Sequence, residues 1–111
     1  MPRPIRNFEI YLPLEDNDGR PIAESKFVDL QRELLAKFEG VTSNQRDYPL
    51  QGLWRSGARV FQDRVVVFSV MDFHTKTRAA LIRHLERLKA RLKKTFGQLE
   101  ILITLQELLA I

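Results

Sequence analysis

The sequence contains no cysteine and is sparing with glycine and proline, with five of each in 111 residues. The absence of cysteine excludes disulfides, zinc–thiolate sites and thiol catalysis, and agrees with the soluble, cytoplasmic protein that we expect. No apolar run approaches the roughly 20 residues that a helix needs to cross a bilayer, so we expect no membrane association. The first residues also lack the apolar core of a signal peptide.

No catalytic or metal-binding motif is present either, and we expect no metal and no cofactor. The acidic segment 15–21 invites a calcium interpretation, because Asp16, Asp18 and Gly19 resemble the first part of an EF-hand loop. The pattern fails further on, since no acid stands at the closing position and no helix pair flanks it. We therefore interpret this segment as a turn.

What the sequence does contain is the composition of one globular domain. Apolar residues make up 44% of the chain and charged residues 29%. A chain of this length and balance can bury a core of its own. We expect a single domain over residues 1–111.

Positive charge is concentrated in residues 76–94, which carry eight of the eighteen basic side chains and one acid, Glu86. The segment is therefore +7, and because the whole chain is +4, everything outside it sums to −3. A localised field of this kind indicates one charged element rather than a generally basic surface.

Hydrophobic periodicity predicts two helices and four strands. The run 65–73 is apolar at nearly every position, which is typical of a central strand, and a hairpin turn is predicted at 62–64. The apolar C-terminus, 106–111, is expected to dock on its own sheet or on a partner chain. The predicted elements are strand 8–12, helix 24–38, strands 53–61 and 65–73, helix 77–96 and strand 99–105.

This order, β-α-β-β-α-β, predicts an α+β protein with the ferredoxin-like fold: a four-stranded antiparallel sheet with both helices on one face. Such a fold leaves the other sheet face bare, and the doubly apolar third strand would expose one of its two apolar sets there. Exposed patches of that kind indicate a partner. We expect a homodimer packed through the open face. The expected interface residues are Trp54 and either Val66, Phe68 and Val70 or the complementary set of the same strand.

Three short segments resemble the signature positions of small, largely uncharacterised prokaryotic ferredoxin-like proteins. They are residues 38–42, residues 52–55 and residues 96–101. The family pattern would have a Phe-Gly-Gly-x-Thr turn, a Gly-x-Trp strand entry and a Gln-Glu pair opening the last strand. This chain departs from it by Glu39 in place of a glycine and by Leu99 between Gln98 and Glu100. The resemblance implies the fold and no particular activity.

Polar side chains on the predicted strands are candidates for binding a small anion. Arg55 and Arg59 are predicted on one face of the second strand, around Gly57, where two guanidinium groups suit a carboxylate or phosphate. Pairing with acids on a neighbouring strand or subunit is the alternative for both arginines.

Further candidates stand on the first and third strands. Tyr11, with Glu9, would join the arginines if the open face forms a cleft between subunits. Asp72 and His74 share one side at the end of the third strand, as an acid–base pair would. The alternative is that Asp72 caps the next helix and His74 is merely exposed.

The basic helix is the candidate site for nucleic acid, because a row of exposed cations neutralises phosphates without reading sequence. A solvated helix face is the alternative. The sheet itself lacks the aromatic platform of RNA-binding ferredoxin-like domains. The candidate residues are Arg83, Arg87, Lys89, Arg91 and Lys94.

The sequence thus supports three classes of function. The first is a homo-oligomeric binding protein that acts through its open sheet face on a partner protein or a small anionic ligand. The second is a sequence-tolerant nucleic-acid binder that uses helix 76–94. The third is a small dimeric enzyme of unknown reaction, for which nothing identifies a nucleophile, a metal or a cofactor. Its candidate polar groups are His74, Asp72, Arg55 and Arg59.

Overall fold

The computed structural model describes residues 1–44, residue 46 and residues 49–111, with the Trp54 side chain excepted. Within this part of the chain, two helices and five strands are formed. In order they are β1 (Arg3–Pro13), α1 (Glu24–Phe38), β2 (Thr42–Ser43), β3 (Leu50–Ser56), β4 (Arg59–Asp72), α2 (Arg78–Thr95) and β5 (Leu102–Ala110).

The strands form one antiparallel sheet in which β1 and β4 are central. β5 pairs with the free side of β1, while β2 and β3 both pair with the outer side of β4. The α+β class is confirmed, whereas the predicted count of four strands is wrong for the described residues, because β2 and β3 divide one position in the sheet between them. The predicted central place of the third strand agrees with β4.

The side chain of Asn44 fills the break between β2 and β3. Its Oδ1 accepts a hydrogen bond from the Val67 amide at 2.9 Å, and its Nδ2 donates to the Val65 carbonyl at 3.5 Å. β2 pairs with residues 68–69 and β3 begins to pair at Val65, so the asparagine stands where a strand backbone would. The edge of β4 is thereby kept hydrogen-bonded across the interruption.

The hairpin turn lies at Gly57–Ala58, not at the predicted 62–64. Ser56 pairs with Arg59, and Gly57 has a φ of +63°, which a two-residue turn with glycine in first place requires. The polar residues 62–64 lie inside β4 because this part of the hairpin extends past the helices, where residues 55–62 are all exposed. We call residues 50–64 the arm.

One hydrophobic core lies between the sheet and the helices. Phe8 and Val70, which pair across β1 and β4, are fully buried, and both helices contribute leucines to the same cluster. Phe8 packs edge-on against Phe38 of α1, with ring centroids 5.0 Å apart. Both helices therefore cover one face of the sheet, as the amphipathic spacing of their leucines predicts.

The ends of the helices follow from local chemistry. Thr77 caps α2, since its hydroxyl accepts a hydrogen bond from the Ala80 amide at 3.1 Å. α1 ends at Glu39, whose φ of +67° lies in the left-handed region that glycine favours. Among the described residues, neither helix is long and apolar enough to cross a membrane.

The C-terminal segment docks on its own sheet. β5 continues to Ala110, and its last residues pair with the beginning of β1, down to Ala110 opposite Arg3. Within the described chain, β1 is its only neighbour, so its outer edge is open along nine residues.

The adjacent residues Leu34 and Leu35 test this packing. Leu34 is 1% exposed and Leu35 is 52% exposed. We expect Leu34→Ala to lower the free energy of unfolding by about 2–5 kcal/mol, because it removes buried methyl groups and leaves a cavity. Leu35→Ala should change it by less than about 1 kcal/mol. Equal losses in urea denaturation would contradict the placement of α1.

Candidate functional site

The sheet face opposite the helices is the largest feature without an internal cover. Two large apolar side chains on this face, Met71 of β4 and Leu102 of β5, are 40% and 56% exposed. Apolar residues on this face come from every one of its central strands. In register order, the side chains of β1, β4 and β5 on the open face are Ile5, Asn7, Glu9, Tyr11, Val65, Val67, Ser69, Met71, Leu102, Thr104, Gln106 and Leu108.

The predicted interface residues of the third strand lie on the other side. Val66, Phe68 and Val70 are 3% exposed or less, because they pack against the helices in the core. Their assignment to the open face is wrong, and the complementary set, with Val65, Val67 and Met71, occupies it. The alternation of side chains along a strand shows that the two sets face opposite sides of the sheet, but it does not show which set faces the helices. The Trp54 side chain lies outside the described part of the structure.

The open face is balanced in charge. β5 contributes no charged side chain to it, β1 contributes Arg3 and Glu9, and β4 contributes Arg59 and Asp63. Arg3 stacks over the Phe73 ring at 4.8 Å. Two cations and two anions leave no net charge on the face of a protein that is +4 overall.

A polar pair interrupts the apolar surface near its centre. The Tyr11 hydroxyl donates a hydrogen bond to Glu9 Oε1 at 3.0 Å. This bond to Glu9, with burial and the charge of Glu9, raises the pKa of Tyr11 above its ordinary value, while a hydrogen bond with Thr104 opposes the change. Tyr11 therefore stays a phenol at neutral pH, and its single O–H is donated to Glu9. It is the one predicted ligand-binding residue that the open face brings together with a polar partner.

Next to this pair, Asn7 is 5% exposed. Its amide donates to Ser69 Oγ and to the Val70 carbonyl, both at 3.0 Å. An asparagine buried on the open face costs desolvation unless it is hydrogen-bonded, and these two bonds provide that compensation. Asn7 was not predicted as a site residue, since a single asparagine in an alternating strand has no distinguishing pattern.

The predicted anion site of Arg55 and Arg59 is not formed. The turn at Gly57–Ala58 separates them onto two strands, where Arg55 pairs with Val60 and Arg59 pairs with Ser56. These neighbouring positions point to opposite faces of the arm. The prediction failed because it placed both arginines on one continuous strand.

Asp72 and His74 do not form the predicted side-chain pair. Asp72 Oδ1 accepts hydrogen bonds from the backbone amides of His74 at 3.0 Å and Thr75 at 3.1 Å, so the carboxylate holds the turn before α2. His74 Nε2 lies 2.9 Å from Oε2 of Glu39, and both side chains are more than half exposed. Glu39 also lines a cavity of about 460 Å³, together with Phe38, Thr42, Ser69, Met71 and neighbours.

A row of alternating charge crosses the sheet beside Asp72. Arg6 is the register partner of Asp72 on one side and of Glu107 on the other. Arg6 Nε lies 3.9 Å from Glu107 Oε1, and Arg6 Nη1 donates to the Thr75 carbonyl at 3.2 Å. Arg6 therefore ties the end of β4 to β5.

The five candidate residues of the basic helix fall into two groups. Lys89 lies 2.9 Å from Glu100 Oε1, and Arg91 is paired with Glu33 of α1. Arg83, Arg87 and Lys94 form no ion pair with any residue that the structure describes. The sequence could not make this division, since the acids concerned are 11 and 58 positions away along the chain.

Comparison with known proteins gives a fold and no family. No protein-family model matches the chain, and no curated protein matches it. A solved structure of a phage SAM lyase in complex with S-methyl-5'-thioadenosine is similar, with a TM-score of 0.65 and 12% identity, over 93% of this chain and 81% of that one. The apo state of a phage SAM lyase gives 0.66 and 13%, over 96% and 84%. At this identity the likeness concerns the fold, and the resemblance to small prokaryotic ferredoxin-like proteins stays a prediction.

The pH dependence of stability tests the role of Asp72. Burial raises the pKa of its carboxyl, but hydrogen bonds from the Thr75 side chain and from the amides of His74 and Thr75, with the charge of Arg6, together hold it below 3.8. A depressed carboxyl pKa stabilises the fold above the unfolded-state value, and this is lost as the pH falls through the folded-state value.

We therefore expect Asp72→Asn to cost about 1–2 kcal/mol in the free energy of unfolding at neutral pH, as a charged acceptor is replaced by a neutral one. The difference from the wild type should shrink as the pH falls below about 4. Urea denaturation at several pH values measures it. Parallel curves for the two proteins would show that the charge of Asp72 contributes nothing.

Proposed function

We propose that this chain is a homo-oligomeric binding protein with the ferredoxin-like topology, and that a second copy covers its open sheet face. The strand order in the sheet is β5, β1, β4 and then the position shared by β2 and β3. Two interleaved β-α-β units place their four strands in this order. β2 is then a short addition to that plan. The observation that carries the proposal is the charge-balanced face opposite the helices, which has no cover among the described residues and on which half of the side chains of β1, β4 and β5 are apolar.

The size of this face reaches the lower limit for a specific dimer interface. Four strand positions about 4.8 Å apart and eight paired residues about 3.3 Å apart give about 500 Å² of sheet per copy. Two copies would bury at least about 1,000 Å² in total, which is the lower end of specific interfaces. The arm adds Leu50, 50% exposed, and Phe61, 39% exposed, to the same side of the sheet.

The charge of the face favours a second copy over a polyanion. Glu9 and Asp63 balance Arg3 and Arg59, so two such faces do not repel each other. The excess positive charge is on the helices, which remain outside a dimer packed through its sheets. The small-anion alternative depended on Arg55 and Arg59 acting together, and it loses its support because they lie on opposite faces of the arm.

Substitution of Leu102 by glutamate tests this interface. We expect the wild type to sediment as a dimer or larger closed oligomer at micromolar concentration. Leu102→Glu should dissociate it, because a carboxylate would be buried in the apolar contact without a partner. Analytical ultracentrifugation measures the mass directly.

The matched control is Leu35→Glu on α1. Leu35 is 52% exposed, against 56% for Leu102, and lies on the helical side. It receives the same change in charge and polarity, and its oligomeric state should not alter. A monomeric wild type, or equal behaviour of the two variants, would remove the proposal.

A small nucleoside ligand is a second candidate, and it belongs to the enzyme class. The pair Glu9–Tyr11 favours it, because the second oxygen of the Glu9 carboxylate can accept from ribose hydroxyls and the Tyr11 ring offers an aromatic surface to a base. One similar lyase structure holds S-methyl-5'-thioadenosine, and this compound is therefore the probe we choose. In this proposal the ligand lies between two copies, with Glu9 accepting hydrogen bonds from the ribose hydroxyls.

Calorimetric titration with S-methyl-5'-thioadenosine tests the second candidate. We expect saturable binding that Glu9→Gln weakens by about 10-fold or more, the effect of losing a charged hydrogen-bond acceptor. Arg55→Gln, on the other side of the arm, should leave the affinity unchanged. Absence of binding at millimolar ligand, or equal affinity of wild type and Glu9→Gln, would rule this candidate out.

A further inference from the structure

Positive charge divides the helical layer unequally. α2 carries seven cations and one acid, whereas α1 carries three of each. The two helices together therefore hold +6, and the rest of the chain sums to −2, since the total is +4. A net charge of this size on one layer creates a field that no other part of the protein cancels.

Several cations of α2 are paired with acids and are therefore less available to an external anion. Lys89 and Lys93 share Glu100, and Arg78 lies 3.7 Å from Glu107. The pKa of Glu100 is lowered by hydrogen bonds from the Lys89 side chain and the Ile101 amide, and by the charges of Lys89 and Lys93. Arg83, Arg87 and Lys94 are exposed and have no acidic partner among the described residues. We call these three residues the cationic stripe.

The three residues form a straight row on the helix. At 3.6 residues per turn, positions 83, 87 and 94 fall within about 40° of each other around the axis. Eleven residues separate the first from the last, which at 1.5 Å per residue is about 16 Å. A strand of a B-form duplex presents one phosphate per about 3.4 Å of its axis, so several phosphates lie along this length.

Further cations lie near His84, beside the cationic stripe. His84 faces α1, where its ring lies edge-on to Phe38 at 5.8 Å. Burial lowers the pKa of His84, and so do the charges of Lys37, Arg87 and Arg91, while Glu33 opposes them. The groups that face His84 from both helices are thus three cations and one acid. An anion bound beside them would relieve this repulsion and raise the pKa of His84.

We propose that the cationic stripe of Arg83, Arg87 and Lys94 binds the phosphate backbone of nucleic acid without reading its sequence. Exposed cations in a row give affinity and carry no base specificity. A lipid surface fits less well, because the apolar side of α2 is buried in the core and cannot insert into a membrane. The surface is opposite the open sheet face, so the proposal does not depend on self-association.

Fluorescence anisotropy with a mixed-sequence single strand and the corresponding duplex tests the proposal. Three phosphate contacts predict a slope of about −2 for log affinity against log salt with a single strand, which is about a 100-fold loss over a tenfold rise in salt. The variant with Arg83→Gln, Arg87→Gln and Lys94→Gln should lose most of the affinity at low salt and most of the slope.

The matched control changes the same net charge elsewhere. Arg20→Gln, Arg55→Gln and Arg64→Gln remove three exposed cations on a turn and on the side of the arm that faces away from the open face. This variant should keep the slope and lose little affinity. Equal losses in both variants would mean that only overall charge attracts the nucleic acid, and would overturn the proposal. So would an absence of binding by the wild type at low salt, or binding to phosphatidylserine vesicles alone.

A second readout locates the contact. The His84 ring, followed by NMR during a pH titration, should titrate at higher pH when the single strand is bound than in the free protein. The backbone amide resonance of His74, whose side chain is paired with Glu39, serves as the internal comparison and should not shift on binding. A shift confined to His74 would place the nucleic acid elsewhere and contradict the assignment.

Discussion

The register between β1 and β4 is the constraint on which the rest of the structure depends. Phe8 opposite Val70 and Leu12 opposite Val66 place the apolar set of each strand on the same side, where both helices cover it. A slip of one residue would turn these side chains away from the helices and bring Glu9 and Tyr11 into the core. The division of the protein into a buried face and an open face is therefore fixed by this one pairing.

That division separates two kinds of surface chemistry. The open face has apolar side chains and balanced charges, as a surface that meets a copy of itself would. The opposite layer has six units of positive charge. Because the sheet lies between them, the two surfaces point in opposite directions, so the proposed self-association and the proposed nucleic-acid binding would not compete for the same side of the protein.

Sequence periodicity was sufficient to predict the helices and strands that bury one side along their length. The helix 24–38 was predicted with its observed bounds, since its leucines and phenylalanines recur at helical spacing. The arm was not predicted correctly, because both of its faces meet water and burial leaves no pattern there. Gly57 was the available signal for the turn.

The candidate site was harder to predict, because its contacts join residues distant in sequence. The ion pairs of Lys89 and Arg91, and the contact of Glu39 with His74, depend on how the layers pack. Glu39 is instructive, since the family pattern resembled by residues 38–42 has a glycine there. The observed φ of +67° is the conformation for which a glycine would be suited.

The two edges of the sheet differ in a way that limits how copies can add to each other. The outer edge of β5 is continuous over nine residues, with Glu107 as its sole charged side chain. The opposite edge is divided between β2 and β3. Between them, the side chain of Asn44 is hydrogen-bonded to the backbone of β4, at Val65 and Val67. Two copies that joined at β5 would do so about a two-fold axis, and both remaining edges would be the divided kind. A further copy would then meet only the seven residues of β3 and the two of β2, in place of the nine residues of β5, so growth by strand addition would have to continue on a shorter and interrupted edge.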